Sequence, residues 1–267
     1  SCSISRRIDS KYHFEPTMSI LIKNDLGAQQ AMNFDISNAC AGMLTGVYIL
    51  DSLIRSGAVQ NGMVLSGERN YAGSETAERE IDSIFHEQFA SLTVGDAATA
   101  VILDDCGTED ETLSMVELMT CAEPADLCLG MPSLETPGVA LYTKNIKLHA
   151  ATNLQLWPYM AKKVFADVGS SLEEEHFDYL IPHQIGTRFS QKSAEVAQKV
   201  LGLELPEMLH CLEDCGNTSS TSHFVVLYQA LQQGLVHKGT KLLLVPAASG
   251  VVTGCVSVTL GDLKVSA

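Results

Sequence analysis

The sequence predicts an α/β protein. Three observations carry that expectation. Apolar runs of strand length alternate along the chain with stretches of helical spacing. The helical stretches stop at glycine or small polar residues. Hydrophobic residues make up 46% of the chain and charged residues 18%, enough apolar material for a sizeable core. With 267 residues, the chain suits one large domain or two of moderate size.

Taken in order, Tyr12 to Leu26 reads as loop and helix, and Ala31 to Ser37 as a short buried strand. Ala41 to Arg55 carries Met43, Leu44, Val47, Leu50 and Ile54 at helical spacing, and Ser56-Gly57 ends it. Gly62 to Ser66 is the next strand. Val94-Gly95-Asp96 is a glycine turn leading into a strand over Ala97 to Leu103. Asp105 to Lys144, with Pro124, Pro132 and Pro137, mixes its signals and reads as an irregular region at a substrate entrance or between two halves. Leu148 to Val168 reads as one long helix with an irregularity at Pro158. Phe177 to Ile181 is a strand, Thr187 to Leu201 a helix and Leu209 to Leu212 a short strand. Ser220 to Gln233 is a helix entered from a Thr/Ser-rich cap. Lys241 to Val245 and Cys255 to Leu260 are the closing strands, joined through Ala247-Ala248-Ser249-Gly250. A break near Asp104 to Thr112 divides the chain into residues 1–108 and 109–267, each part ending in strands.

Seventeen basic against 32 acidic residues give a net charge of −15. That balance excludes nucleic acid as the main partner, because binding a phosphate backbone needs clustered positive charge. A small phosphorylated ligand held by a few local groups stays compatible with it. No apolar run reaches the roughly 18 to 20 residues that span a bilayer, so no membrane partner is expected. Ser1 to Lys11 contains no apolar stretch of the signal-peptide kind, which points to a cytoplasmic protein. The eight cysteines are irregularly spaced. Cys211 and Cys215 could form half a zinc site, but no matching pair follows, so no metal is expected. The cysteines read as reduced and mostly buried thiols, which leaves open whether one of them does chemistry.

Three short segments could carry that chemistry. In Asn38-Ala39-Cys40-Ala41-Gly42 a strand runs through small residues into an amphipathic helix. A cysteine there sits at a helix N-terminus, where the macrodipole and free amides favour the thiolate. The alternative is a small core residue at a tight junction. In Leu180-Ile181-Pro182-His183-Gln184 a histidine follows the C-terminal end of a strand, where open α/β sheets place ligand groups. Alone, it could equally be a satisfied, partly buried histidine. Cys215-Gly216-Asn217-Thr218-Ser219-Ser220 alone is a commonplace turn or cap. Together, Cys40, His183 and Asn217 fit acyl transfer: a cysteine attacks a thioester, and two hydrogen-bond donors stabilise an oxyanion or enolate. Papain-like proteases use the same residue types in the same order, but the alternating strand–helix pattern argues against that fold.

These segments resemble the thiolase superfamily, in its β-ketoacyl synthase III branch (3-oxoacyl-ACP synthase III). Asn38 to Gly42 resembles the nucleophile motif. Arg55-Ser56-Gly57-Ala58-Val59 followed by Val64 to Glu68 is similar to the helix end and strand behind it. Val94 to Ala100 resembles the GDGA-type strand entry, and Pro182-His183-Gln184 and Gly216-Asn217-Thr218-Ser219 resemble the histidine and asparagine motifs. The resemblance runs over almost the whole chain. It implies two pseudo-related halves in an αβαβα layering, 1–108 carrying Cys40 and 109–267 carrying His183 and Asn217. It also implies that the start of the first half is missing. A βαβ unit takes about 30 residues, and Tyr12 to Leu26 reads mostly as loop and helix.

The resemblance further implies a role for each residue. Cys40 would take an acyl group from an acyl-CoA or acyl-carrier thioester. His183 and Asn217 would hold the carbonyl of a malonyl thioester through a decarboxylative condensation. The backbone N–H groups of Cys40 and of Ser249-Gly250 would hold the oxyanion, although Ala247 to Val252 is poorer in glycine than the family's segment. No cofactor is implied, only CoA or acyl-carrier thioesters as substrates. A homodimer is implied. An acyl carrier protein would need a basic docking patch, for which Arg6, Arg7, Lys11, Lys144 and Lys147 are the candidates. A second departure is Phe14-Glu15-Pro16, which resembles the thiolase of bacterial olefin synthesis, an enzyme that joins two acyl-CoA molecules head to head. There a glutamate reaches the partner's site as base, and Glu15 would be its counterpart. Gln88 to Thr93 and Leu127 to Gly130 look more like that enzyme too. A non-catalytic synthase-like subunit, or acyl transfer to an oxygen or nitrogen acceptor, are the rival classes. The intact Cys40, His183 and Asn217 argue against the first.

Overall fold

The computed structural model of the protein describes residues 15–108 and 111–263. In chain order, α1 is Met18–Asp25, α2 Gly42–Arg55, β1 Asn61–Glu68, α3 Tyr71–Glu80, β2 Ala97–Asp104, β3 Leu113–Thr120, β4 Cys128–Pro132 and β5 Val139–Thr143. Three helical pieces follow, α4 Asn145–Leu148, α5 Ala151–Leu154 and α6 Leu156–Asp167. Then come β6 Tyr179–Pro182, α7 Thr187–Leu201, β7 Glu207–Met208, α8 Leu212–Cys215, α9 Ser222–Gln232, β8 Lys241–Val245, β9 Ala247–Ala248 and β10 Val252–Thr259. Short 3₁₀ turns over Ala39–Ala41 and Ser219–Thr221 lead directly into α2 and α9.

Strands β3, β10, β8, β6 and β7 lie side by side in that order, with β9 paired to β10. The β3, β10 and β8 neighbours are antiparallel; β8, β6 and β7 run parallel. Side chains alternate across a strand, so a strand covered on both faces must be apolar throughout. Strand β8 is such a strand. Leu242 and Leu244 pack with Val226 and Ala230 of α9 and with Leu44 of α2. Leu243 and Val245 pack on the other side with Trp157, Ala161 and Phe165 of α6 and Ala197 of α7. Helices α2 and α9 also touch a second sheet, the antiparallel pair β1–β2. The described residues thus stack as sheet, helices, sheet, helices, four of the five layers expected. The outer face of β1–β2 carries no helix among the described residues. There Met63 and Ile102, paired in register, are 40% and 70% exposed.

Several expectations are corrected. Ala31 to Ser37 forms no strand, and Met32 and Phe34 are exposed. A strand needs a ladder partner, and among the described residues β1 and β2 pair only with each other. The region 105–144 is not irregular: β3 joins the large sheet, and β4 and β5 form a hairpin. Its prolines mark ends, Pro132 closing β4 and Pro137 lying in the connecting turn. The long helix expected over Leu148 to Val168 is three pieces. Pro158 has no N–H, and its ring excludes the carbonyl of Leu154 four residues back, so α5 stops at Leu154 and α6 begins afresh. The strand expected over Leu209 to Leu212 lies at Glu207–Met208 instead. Leu209 still donates to Leu180 O, but the N–H of Cys211 is taken by Gln184 Oε1 at 3.1 Å, and pairing ends there. Asn217 therefore follows a helical turn, not a strand. The thiols are not mostly buried: of the seven described cysteines, all unbridged, only Cys211 and Cys255 are buried.

Among the described residues no helix is long and apolar enough to cross a membrane. Of the docking candidates, Arg6, Arg7 and Lys11 lie outside the described residues. Lys144 is paired with Asp126, and Lys147 is exposed.

Candidate active site

The backbone before α2 is strained at one residue. Ala39 has φ +45°, a left-handed conformation that side chains other than glycine rarely adopt. It opens the 3₁₀ turn that carries Cys40, held by Ala41 N–H on Asn38 O at 3.0 Å and by Asn38 Nδ2 on Thr45 Oγ1 at 2.8 Å. The turn before α9 repeats this geometry. Ser219 has φ +55°, and Ser220 stands second in its turn as Cys40 does in the first. The two turns pack on each other. They differ in what they present. Ser220 is wholly buried and donates to the buried carboxylate of Glu68, whereas Cys40 lines a cavity.

Asn217 is held at three points. Its N–H donates to Thr93 O and its carbonyl accepts from Gly95 N–H, both at 2.9 Å. Its side-chain Oδ1 accepts from Ser219 N–H at 2.9 Å. With the oxygen occupied, the side of the amide left for the cavity is the donor, Nδ2. The close approach depends on two glycines. A Cβ on Gly95 would fall 1.9 Å from Cys215 O, and one on Gly216 would fall 2.7 Å from Thr93 O.

His183 directly follows β6, its N–H donating to Val245 O at 2.9 Å. The residue is 4% exposed, with Nδ1 buried and unpartnered among the described residues. A bare buried lone pair costs less than a bare buried N–H, so the proton belongs on Nε2. Burial, reinforced by the neighbouring His223, pushes its pKa down to about 3, so the ring is neutral near pH 7. His223, on α9, stacks on it with centroids 5.9 Å apart and is pushed down to about 4 by burial.

Cys40, His183, Asn217, Ser249 and Gly250 all line one cavity of about 710 Å³. Gly250 (φ +85°) and Val251 (φ +29°) turn the β9–β10 hairpin, and β9 packs against the Cys40 turn. The rest of the wall is largely apolar. It comes from the β4–β5 hairpin, from Leu148, Leu154 and Trp157, and from one face of α7 with Phe189 and Ala194. Glu80 pins the hairpin's connecting turn. Its buried carboxylate accepts from Ser133 Oγ at 2.7 Å, from Thr136 N–H at 3.1 Å, from Thr136 Oγ1 and from Gln88 Nε2. Burial raises its pKa, but these hydrogen bonds outweigh burial and hold it at about 2. Among the described residues no cluster of three or more His, Cys, Asp or Glu side chains could hold a metal.

Glu15 is exposed and is not part of this wall. Sequence reasoning missed His223, Glu80 and the Ser220–Glu68 pair. The one available signal was a histidine directly before the largely apolar run from Phe224 to Leu231. Glu80 sits in a polar helix and gave none.

Comparison with known proteins fits this geometry. Residues 34–121 match the family 3-oxoacyl-[acyl-carrier-protein (ACP)] synthase III, and residues 169–260 match the family of its C-terminal part. The β-ketoacyl-[acyl-carrier-protein] synthase III of Sphingopyxis alaskensis is 28% identical over 244 residues, covering 90% of this chain and 70% of its own length. That of Clostridium perfringens is 25% identical over 262 residues, covering 93% and 74%. Among solved structures, a cysteine-to-serine variant of Xanthomonas campestris OleA with bound lauric acid and lauroyl-CoA superposes with a TM-score of 0.77 at 22% identity. It covers 94% of this chain and 73% of its own. The Pseudomonas aeruginosa 3-oxoacyl-(acyl carrier protein) synthase III gives 0.76 at 20% identity, covering 96% and 75%. At these identities the two structures show a shared fold, and the two family matches, which together cover more than half of the chain, show more: the protein belongs to the 3-oxoacyl-[acyl-carrier-protein] synthase III family of thiolase-fold condensing acyltransferases.

Proposed function

We propose that the protein transfers an acyl group from a thioester to Cys40 and condenses it with a malonyl thioester. The observation that supports this reading is that Cys40, His183 and Asn217 line one largely apolar cavity, and with Asn217 Oδ1 bonded to Ser219 N–H and the His183 proton assigned to Nε2, the groups that would face a substrate there are N–H donors. In the first step the Cys40 thiolate, favoured by the N-terminus of α2, attacks the thioester carbonyl. A new C–S bond forms, the N–H groups of the Ser249-Gly250 turn and of Cys40 hold the oxyanion, and the donor's thiolate leaves. In the second step the malonyl thioester loses CO₂. Its enolate oxygen accepts hydrogen bonds from His183 and Asn217, and its carbon attacks the acyl-Cys40 carbonyl, releasing the Cys40 thiolate and a 3-oxoacyl thioester. A neutral His183 suits this step as a hydrogen-bond donor. The donor and acceptor thioesters are acyl-CoA and malonyl-CoA or malonyl carrier protein, and the working form is a homodimer.

The reading is tested by separating the two steps. His183→Ala and Asn217→Ala should still acylate Cys40 yet lose about 100- to 1,000-fold in carbon–carbon bond formation, the usual cost of one donor to a developing oxyanion. Near-normal product from either variant would contradict it. Head-to-head condensation of two acyl-CoAs is the second reading. The fold is as close to OleA as to the Pseudomonas aeruginosa synthase, and Glu15 stands exposed, outside its own chain's cavity, where it could serve a partner's site.

A further inference from the structure

We propose that His223 is a positioning residue for His183, fixing the plane of its ring from behind. The inference rests on the role given to His183 above. Helix α9 is apolar where it enters the core, and a leucine or valine at position 223 would be buried at no polar cost. Instead the position holds an imidazole that is 0% exposed. Burying a polar ring is unfavourable wherever a polar atom is left unpaired, and Nδ1 of His223 has no partner among the described residues.

The ring makes two contacts that reach His183. Its Nε2 lies 3.1 Å from Val245 O, and a carbonyl only accepts, so Nε2 carries the proton. That same carbonyl accepts the backbone N–H of His183 at 2.9 Å. A carbonyl has two lone pairs, and one is used by each histidine. The second contact is ring on ring, at 5.9 Å and 27° between planes. His183 has no hydrogen bond on Nδ1 to set its rotation, so the His223 ring and the shared carbonyl supply the constraint that a partner on Nδ1 would otherwise supply. Without them the Nε2–H of His183 would be free to swing away from the enolate oxygen.

The test measures both half-reactions in His223→Gln, His223→Asn and His223→Leu. Glutamine puts an amide nitrogen where Nε2 stands, and asparagine puts one where Nδ1 stands, too short to reach Val245. Acylation of Cys40 should stay within about two-fold of wild type in all three. Condensation should fall about 100-fold in the Asn and Leu variants, the usual cost of misplacing a reacting group by about 1 Å, and the Gln variant should recover most of that loss. Should the Leu variant not fold, the Gln and Asn pair decides alone. Unchanged condensation in Asn, equal losses in Gln and Asn, or an acylation loss parallel to the condensation loss would overturn the proposal. His183→Ala in the same assay separates the two claims. If it condenses normally, the role of His183 fails; if it does not while the His223 variants do, only the present inference fails.

Discussion

Thr93 and Asn217 are joined through their main chains by a 2.9 Å hydrogen bond, although they stand 124 positions apart in the sequence. The neighbouring Gly95 closes the pair by donating to Asn217 O. The position of the asparagine amide is therefore set by a segment next to β2 as much as by its own loop.

Gly95→Ala should be severe. Its Cβ would meet the backbone carbonyl oxygen of Cys215 at 1.9 Å, so one of the two segments must move. We expect a loss of at least about 1–3 kcal/mol in denaturant melts and a larger proportional loss of condensation than of acylation. Gly130→Ala is the control. It also lines the cavity, but a Cβ there meets nothing within 4 Å, and stability should not change.

That open space at Gly130 gives a second prediction. Gly130→Leu should grow a side chain at the cavity wall and, on the proposed function, shorten the longest acyl-CoA that labels Cys40, leaving short donors unaffected. A panel of donors of increasing length, read by intact mass, checks this. An unchanged length profile would place the acyl chain away from the β4–β5 hairpin.

The two buried histidines predict acid sensitivity with a definite sign. Their folded pKa values, about 3 for His183 and about 4 for His223, lie below the ordinary 6.5. Below that ordinary value the unfolded chain binds protons that the folded chain refuses. Stability is complete above about pH 6.5 and falls as the pH drops, toward 4 for His223 and toward 3 for His183, by about 2 kcal/mol per ring at pH 5. The carboxylate of Glu80 acts in a lower window: its stabilisation is present above the ordinary 4.5 and lost as the pH falls toward about 2. Melts at pH 5 and pH 7.5 should differ, and His223→Gln should reduce the difference by about half.

Glu80→Ala should release the hairpin. It leaves the Ser133, Thr136 and Gln88 donors without their acceptor, at a cost of about 1–3 kcal/mol, and should speed amide exchange over residues 133–143. Unchanged exchange there would mean that the hairpin is held by β-pairing alone.

What the sequence made legible follows a physical division. Strand β8 and helices α2, α7 and α9 are each marked by a local pattern: a continuous apolar run, or helical spacing with a glycine or polar stop. Cavity residues marked by their own neighbours, such as Cys40 before an amphipathic helix and His183 after a strand, could be found the same way. The expectation for residues 31–37 failed because an apolar run becomes a strand only beside a partner, which no local pattern reports. The break of α5 was underestimated because Pro158 acts on a carbonyl four residues back. Glu80 and His223 depend on contacts with residues 53 and 40 positions away, at Ser133 and His183, and no spacing in one segment shows such contacts.

Glu15 separates the two condensing chemistries. Decarboxylation generates the enolate without a base, so Glu15→Gln should leave malonyl-dependent condensation within about two-fold of wild type. Product from acyl-CoA alone that vanishes in Glu15→Gln would show instead that the carboxylate removes an α-proton from the second acyl-CoA.

The central claim is that Cys40 alone carries the acyl group. The most direct measurement is peptide mapping by mass spectrometry after incubation with a medium-chain acyl-CoA, on the wild type and on Cys40→Ala. We expect one acyl adduct, on the peptide containing Cys40, released when malonyl-CoA or malonyl carrier protein is added and absent from Cys40→Ala. An adduct that persists in Cys40→Ala, or that forms on Cys128, Cys215 or another thiol and turns over with the malonyl thioester, would contradict the account.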